Sequence, residues 1–196
     1  MSAPRSLHTA VLAAGASRRF GSPKQLVRFQ GQTLLQRVIA SAAEISAGSV
    51  TLVLGAHAAE IVAALPPGRA SVLINREWEE GIASSVRAAV RAVPGACDAL
   101  LILLGDQPLV SAAGLQRLVH ARRRHPQQII TSRYSGITGV PAIFPRWCFE
   151  DLCGLRGDQG ARALITRQSD RVVGLAHPEA AVDIDEPEDL LGLSAN

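Results

Sequence analysis

Aromatic side chains are scarce in this chain: phenylalanine, tryptophan and tyrosine make up 4% of its 196 residues. A core without them has to come from alanine, leucine, valine and isoleucine. The hydrophobic fraction of 47% supplies enough for one domain spanning residues 1–196. Cysteine is sparse as well. Cys97, Cys148 and Cys153 form an odd set, which argues against a disulfide framework and for a reducing compartment. Cys148 and Cys153 have no nearby histidine partners and read as apolar filler. No apolar run reaches the length of a membrane span, and Met1 to Thr9 lacks a secretory core, so a soluble cytoplasmic protein without a membrane partner is expected. Charge of one sign is modest too. A net charge of +3 is too small and too scattered for nucleic acid, but it suits a small phosphate-bearing ligand. The one dense basic run, Arg122-Arg123-Arg124-His125, falls at an expected helix end, where it reads as a solvated terminus complementing the helix dipole.

What is present is organised around residues 11–24, V-L-A-A-G-A-S-R-R-F-G-S-P-K. A β-prone run, Ala10 to Leu12, feeds a turn at Gly15. The turn carries Ser17, Arg18 and Arg19, passes Gly21 and Pro23, and ends on Lys24. Small residues let backbone N–H groups approach an anion, and basic side chains neutralise it. Beyond this loop, apolar runs alternate with helical patterns. Strands are expected at Val50 to Leu54, Ser71 to Ile74, Ala99 to Leu104 and Ile129 to Arg133. Helices are expected from Thr33, over Ala58 to Leu65, on the stripe Ile82, Val86, Ala89, Val90 and Val93, and after Ser111. That alternation predicts a layered α/β fold on a mostly parallel sheet.

Four further places could carry chemistry. After Asn75, residues Gly81, Ser84 and Ser85 sit at a helix start, where free N–H groups and hydroxyls either cap the helix or hold a polar ligand. Asp106 follows the most hydrophobic strand, at the carboxyl end where parallel sheets bind ligands, and a lone carboxylate there suits Mg²⁺ bridged to phosphate. Ser135 to Phe144 is rich in glycine and reads as a loop over a cleft, with a strand only at Ala142 to Phe144. Asp158 in Gly157 to Arg162 is expected to cap a helix over Ala161 to Thr166, and that end with Arg162 could hold an anion. Near the end, Val182 and Ile184 face one way, Asp183 and Asp185 the other. Asp185 or Glu186 would cap a last helix begun by Pro187, or Asp185 would be a second metal carboxylate.

In chain order these motifs resemble the NTP-transferase superfamily with the sugar-nucleotide transferase fold. Leu12 to Lys24 is similar to its signature L-A-A-G-x-S-x-R-x-G-x-x-K, with Phe20 where methionine is usual. Gly105-Asp106-Gln107-Pro108, Gly139 to Phe144, Gly157 to Arg162 and the tail D-I-D-E-P-E-D look like the molybdenum cofactor nucleotidyltransferase group, its cytidylyltransferases above all. The resemblance implies a Rossmann-like three-layer sandwich with a nucleotide half (about 1–110) and an acceptor half (about 111–196). It implies transfer of CMP from CTP to the terminal phosphate of molybdopterin, with pyrophosphate leaving. Arg18, Lys24 and Asp106 would be catalytic. Leu12, Ala13, Ala14, Gly15, Ser17, Arg18, Lys24, Asn75, Gly81, Ser84, Ser85 and Asp106 would meet the nucleotide. Gly139, Pro141, Asp158, Gly160 and Arg162 would meet the acceptor, and Mg²⁺ would sit on Asp106 and Asp185. A molybdoenzyme or its chaperone would receive the product. Relatives that use GTP look like L-A-G-G at the first loop, so the methyl of Ala14 favours a pyrimidine. The alternatives are a guanylyltransferase of the same cofactor, a sugar- or alditol-phosphate cytidylyltransferase, and a non-catalytic insertion chaperone.

Overall fold

The computed structural model describes residues 6–46, 50–186, 188 and 189. The chain runs β1 (Ser6–Ala13), β2 (Arg28–Phe29), β3 (Gln32–Thr33), α1 (Leu34–Ser46), β4 (Val50–Leu54), α2 (Ala58–Ala64) and β5 (Ser71–Ile74). It continues through α3 (Ile82–Arg91), β6 (Cys97–Leu104), α4 (Ala112–Arg124), β7 (Ile129–Tyr134) and β8 (Ile137–Pro145). It closes with α5 (Phe149–Cys153), α6 (Arg162–Arg167) and β9 (Val172–Ala176). Seven of these strands form one sheet in the order β5-β4-β1-β6-β8-β7-β9. Pairing is parallel except where β8 runs against β6 and β7.

Alternation along the central strands builds the layers. Val11, Ala13, Leu101 and Leu103 point into a core shared with Leu35 and Val38 of α1 and Leu115 and Leu118 of α4. Their neighbours Ala10, Leu12, Leu100 and Ile102 point the other way, onto Val86 of α3, Leu152 of α5 and Leu164 of α6. Both faces of β1 and β6 are therefore covered, as their unbroken apolar sequence requires. Helix α1 starts where the sequence places it. The Thr33 N–H donates to Gln36 Oε1 (2.9 Å), and the Gln36 N–H donates to Thr33 Oγ1 (3.1 Å).

The chain steps from β1 outward to β4 and β5, then returns to lay β6 on the other side of β1. Adjacent parallel strands wound in opposite directions leave a crevice at their carboxyl ends. Leu12 is in register with Leu104, so Ala14-Gly15 and Gly105-Asp106 emerge side by side.

Four local expectations need correction. Ser135 to Phe144 is no loop over a cleft: β7 and β8 form a hairpin turned at Ser135-Gly136, both with positive φ, and β8 begins at Ile137. The glycines had masked a strand whose apolar partners lie in β6. Asp158 does not cap α6, whose N-cap is Ala161 with no side-chain cap bond. Arg122 is not solvated: it is 4% exposed and paired with Asp98, because the helical period turns that position inward while Arg123 and Arg124 stay exposed. The Asp185 carboxylate is spent elsewhere, and it is Asp189 that accepts the N–H groups of Asp185 (2.8 Å) and Glu186 (2.9 Å). The expected helix start at Pro187 lies outside the described residues.

Candidate active site

The loop after β1 is held in shape from within. Ser17 adopts a φ of 52°, and its carbonyl accepts the N–H groups of Phe20 (3.0 Å) and Gly21 (3.1 Å). Its hydroxyl accepts the Lys24 N–H and donates to Gln25 Oε1, both at 3.3 Å. Gln25, 3% exposed, donates through Nε2 to the carbonyls of Ala13 (3.3 Å) and Gly15 (3.2 Å). These bonds fold the loop back over the strand end and start the 3₁₀ turn Lys24–Leu26 beside Asp106. Below it, Phe29, Leu34 and Ile184 form a small core that also takes Phe20 and Val182, tying the loop to the tail.

The tie brings four charged side chains together. Lys24 Nζ lies 2.7 Å from Asp106 Oδ2 and 2.7 Å from Asp185 Oδ1. Arg19 Nη2 lies 2.6 Å from Asp185 Oδ2. Burial works to lower the pKa of the Lys24 ammonium, but the charge and hydrogen bonds of Asp106 and Asp185 outweigh it and hold the pKa above its ordinary value. The hydrogen bond from Lys24 keeps the Asp185 carboxyl below the usual carboxylate range. Nearby Asp183 is shifted upward, by burial first and then by the charge of Asp106.

These groups border a cavity of about 540 Å³, the size of a small-molecule site. Leu12 to Arg19, Lys24, Gly81, Ser85, Asp106 and Asp185 line it, so every nucleotide-site candidate except Asn75 and Ser84 reaches it. Those two lie behind the wall: Asn75 Nδ2 donates to Ser84 Oγ (2.8 Å) and Ser85 Oγ (3.1 Å), fixing the start of α3. A Cβ on Gly15 would meet no atom within 4 Å, so the glycine leaves free space at the strand end.

The acceptor candidates divide. Gly139, Gly160 and Arg162 line a second cavity of about 280 Å³, which shares Leu12, Ile82 and Leu104 with the first. Asp158 lines the first cavity, and Pro141 lines neither. Sequence reasoning passed over Gln25, Arg19 as a partner of Asp185, and Trp78 and Glu79 on the outer edge of the first cavity. The arginine of the signature L-A-A-G-x-S-x-R-x-G-x-x-K falls at Arg19 and could have directed attention there, but glutamine at a turn carries no signal of its own.

Among the described residues no group of three or more His, Cys, Asp or Glu side chains is placed to hold a metal. Two carboxylates remain, and Asp106 Oδ1 is buried without a hydrogen-bond partner. A paired set of hard oxygens that cannot close a cage alone suits a divalent ion completed by phosphate oxygens.

Residues 9–172 match the model of the MobA-like NTP transferase domain. The chain is 35% identical to the bifunctional protein GlmU of Xanthomonas campestris over 166 residues, 84% of this chain but about a third (34%) of that relative's length. It is 32% identical to the purine catabolism protein PucB of Bacillus subtilis, covering 79% of this chain and 78% of that one. Rv0371c of Mycobacterium tuberculosis superposes with a TM-score of 0.84 at 30% identity over 98% of this chain and 99% of that one, and it has also been solved as a manganese complex. With the sheet order, the crevice and the family match in agreement, the chain belongs to the MobA-like NTP transferase family.

Proposed function

We propose that the chain is a nucleotidyltransferase that moves CMP from CTP to the terminal phosphate of a molybdopterin-type cofactor, in the cytoplasm. The observation that carries the reading is the convergence of Lys24, Asp106 and Asp185 on one rim of a cavity that Arg18 also lines. Phosphate approaching triphosphate brings like charges together, and fixed cations are the means of relieving that repulsion. An acceptor phosphate oxygen bonds to the α-phosphorus, and the bond from that phosphorus to the bridging oxygen of the β-phosphate breaks. Lys24 and Arg18 stabilise the departing pyrophosphate. The acceptor is already ionised, so no side chain has to take a proton.

Asp106 and Asp185 are the residues that would hold Mg²⁺, which when bound supplies charge neutralisation on phosphate oxygens. Lys24 donates to both of these carboxylates, so the oxygens that would hold the ion are the same ones that hold the lysine at the rim of the cavity.

The second cavity, with Gly139, Gly160 and Arg162 on its wall, is the place for the acceptor. Ala14 lines the first cavity and is 6% exposed, and its methyl narrows the room beside the base, favouring a pyrimidine. The test is a panel of CTP, UTP, GTP and ATP crossed with molybdopterin and with sugar and alditol phosphates, followed by pyrophosphate release. CTP with molybdopterin is expected to turn over fastest, and Ala14→Gly to admit GTP. Equal use of GTP by the wild type would remove the base assignment. A folded protein that binds CTP but transfers to no acceptor would favour the chaperone.

A further inference from the structure

The two cavities share Leu12, Ile82 and Leu104, and one short segment reaches both, with Asp158 on the first and Gly160 to Arg162 on the second. Trp78, Glu79 and Gly81 edge the first, while Gly160, Ala161 and Arg162 edge the second. Behind both edges lies Arg87 of α3, 6% exposed and lining neither cavity. Its Nη1 donates to Glu80 Oε1 (2.7 Å) and to the Leu155 carbonyl (3.0 Å). Its Nη2 donates to Glu77 Oε2 (3.2 Å) and to Glu80 Oε2. Glu80 Oε1 also accepts the Gly157 N–H at 3.2 Å, and the Gly157 carbonyl accepts the Ala83 N–H at 3.0 Å. Gly81, at φ 116°, lies so close to this segment that a Cβ there would stand 2.5 Å from both Gly157 O and Asp158 Oδ1.

A buried guanidinium is a costly way to fill space, and an apolar side chain of similar volume often serves stability as well. What the apolar side chain lacks is a planar fork of donors that fixes two carboxylates and a carbonyl from separate segments in one geometry. We propose that Arg87, acting through Glu80 and Gly157, is a positioning residue that makes the edges of the two cavities move as one body. Filling the nucleotide cavity then raises the affinity of the acceptor cavity, and the reverse by the same factor. The proposal rests on the nucleotidyl-transfer reading above.

Two measurements test it. In the first, hydrogen exchange of the amides of residues 160–163 is followed with and without CTP and Mg²⁺. The wild type should show slower exchange there when CTP is bound. Arg87→Met and Glu80→Ala should bind CTP, lose that distant protection and keep protection near Ala14 and Gly15. In the second, molybdopterin affinity is measured with and without a non-hydrolysable CTP analogue. The analogue should tighten binding about five-fold or more in the wild type, within the usual range of coupling between sites. The factor should fall toward one in each variant, with no further loss when the two are combined. Arg87→Lys keeps the charge without the fork and should restore stability but not coupling. Glu80 is partly exposed, so Glu80→Ala carries the test if Arg87→Met fails to fold.

Persistent protection at 160–163 in a folded variant, an unchanged coupling factor, or a wild type without coupling would overturn the proposal while leaving the transfer reaction in place. Failure to transfer to molybdopterin, with Arg87-dependent protection by CTP intact, would overturn the assigned acceptor and support the linkage. A protein that binds no nucleotide overturns both.

Discussion

Lys24 places its ammonium 2.7 Å from the Asp106 carboxylate although 82 positions separate them in the chain. The contact exists because β1 and β6 are parallel neighbours in register, and the loops after them leave the same edge of the sheet. Under the proposed reading the ammonium stands where a divalent ion would be needed, so ion and lysine would compete for the same oxygens.

Replacing Lys24 by methionine keeps the unbranched apolar stem and removes the cation. The loss in kcat should be about 10²–10³-fold, the usual effect of deleting a group that stabilises developing charge. Asp106→Asn should be similarly inactive and should abolish the response to added Mg²⁺, whereas Lys24→Met should bind Mg²⁺ more tightly in the absence of nucleotide, because Asp106 Oδ2 and Asp185 Oδ1 both lose the competing ammonium. Titration of Mg²⁺ by calorimetry checks this. Binding by Lys24→Met no tighter than by the wild type would mean that the lysine and the ion do not share these oxygens.

The glycines at the strand ends separate into two kinds. Gly15 has open space around an added Cβ, whereas a Cβ on Gly55 would stand 2.5 Å from Trp78 Cβ and 2.7 Å from the Ala14 carbonyl. Gly15→Ala should fold with wild-type stability and lose nucleotide affinity, because the methyl enters room left for the ligand. Gly55→Ala should lower the unfolding midpoint in urea by the equivalent of about 1–3 kcal/mol, the cost of overpacking. Equal destabilisation by both would show that Gly15 serves the fold.

How much of this was legible in the sequence depends on the range of the cause. Strands β4 and β5 lie at the predicted residues, and the Thr33–Gln36 capping box forms as expected, since each follows from local pattern. The charged rim was readable because a signature loop and a carboxylate after a central strand each point to phosphate. Strand β8 was not readable over its full length, since its glycine-rich start acquires strand character only through pairing with β7 and β6. Asp98 pairing with Arg122, and Glu80 bridging Arg87 to Gly157, join residues far apart in the chain and leave no local mark.

Gln25 has the least conspicuous role at the site, and it gives a sharp test. It is buried and bonds both carbonyls that fix the turn at Ala14. Gln25→Leu matches its bulk but leaves those carbonyls and the Ser17 hydroxyl short of partners, at about 1–3 kcal/mol. Most of that cost should appear as an increase of about ten-fold in KM for the nucleotide, with kcat less affected, because the loop is positioned by Gln25 while the reacting groups are untouched. A fall in kcat with KM unchanged would instead place Gln25 in the chemical step.

His177 gives the pH dependence a direction. It is 1% exposed, and its Nδ1 lies 2.9 Å from Ser132 Oγ. The Ser132 hydroxyl donates its own proton to the Pro141 carbonyl at 2.8 Å, so it accepts from His177, and the ring is neutral with hydrogen on Nδ1. Nε2 is then a bare acceptor, buried without a partner against Gly114, where a Cβ would come within 2.5 Å of it. Protonation would put a charged N–H into that apolar contact, and burial accordingly holds the pKa below 6.5. His8 is shifted the same way by burial. A histidine with a lowered folded-state pKa contributes stability that is complete above the unfolded value. That contribution falls as pH drops below about 6.5, because the unfolded chain takes up the proton first. Each such histidine gives a slope of up to about 1.4 kcal/mol per pH unit over that window. Urea unfolding at pH 7.5 and 5.5 should therefore show a stability loss at the lower pH. His177→Gln, whose amide can still donate to Ser132, should show a shallower loss, with the remaining slope coming from His8. An identical slope in the variant would mean that His177 accepts its proton without cost in the folded protein.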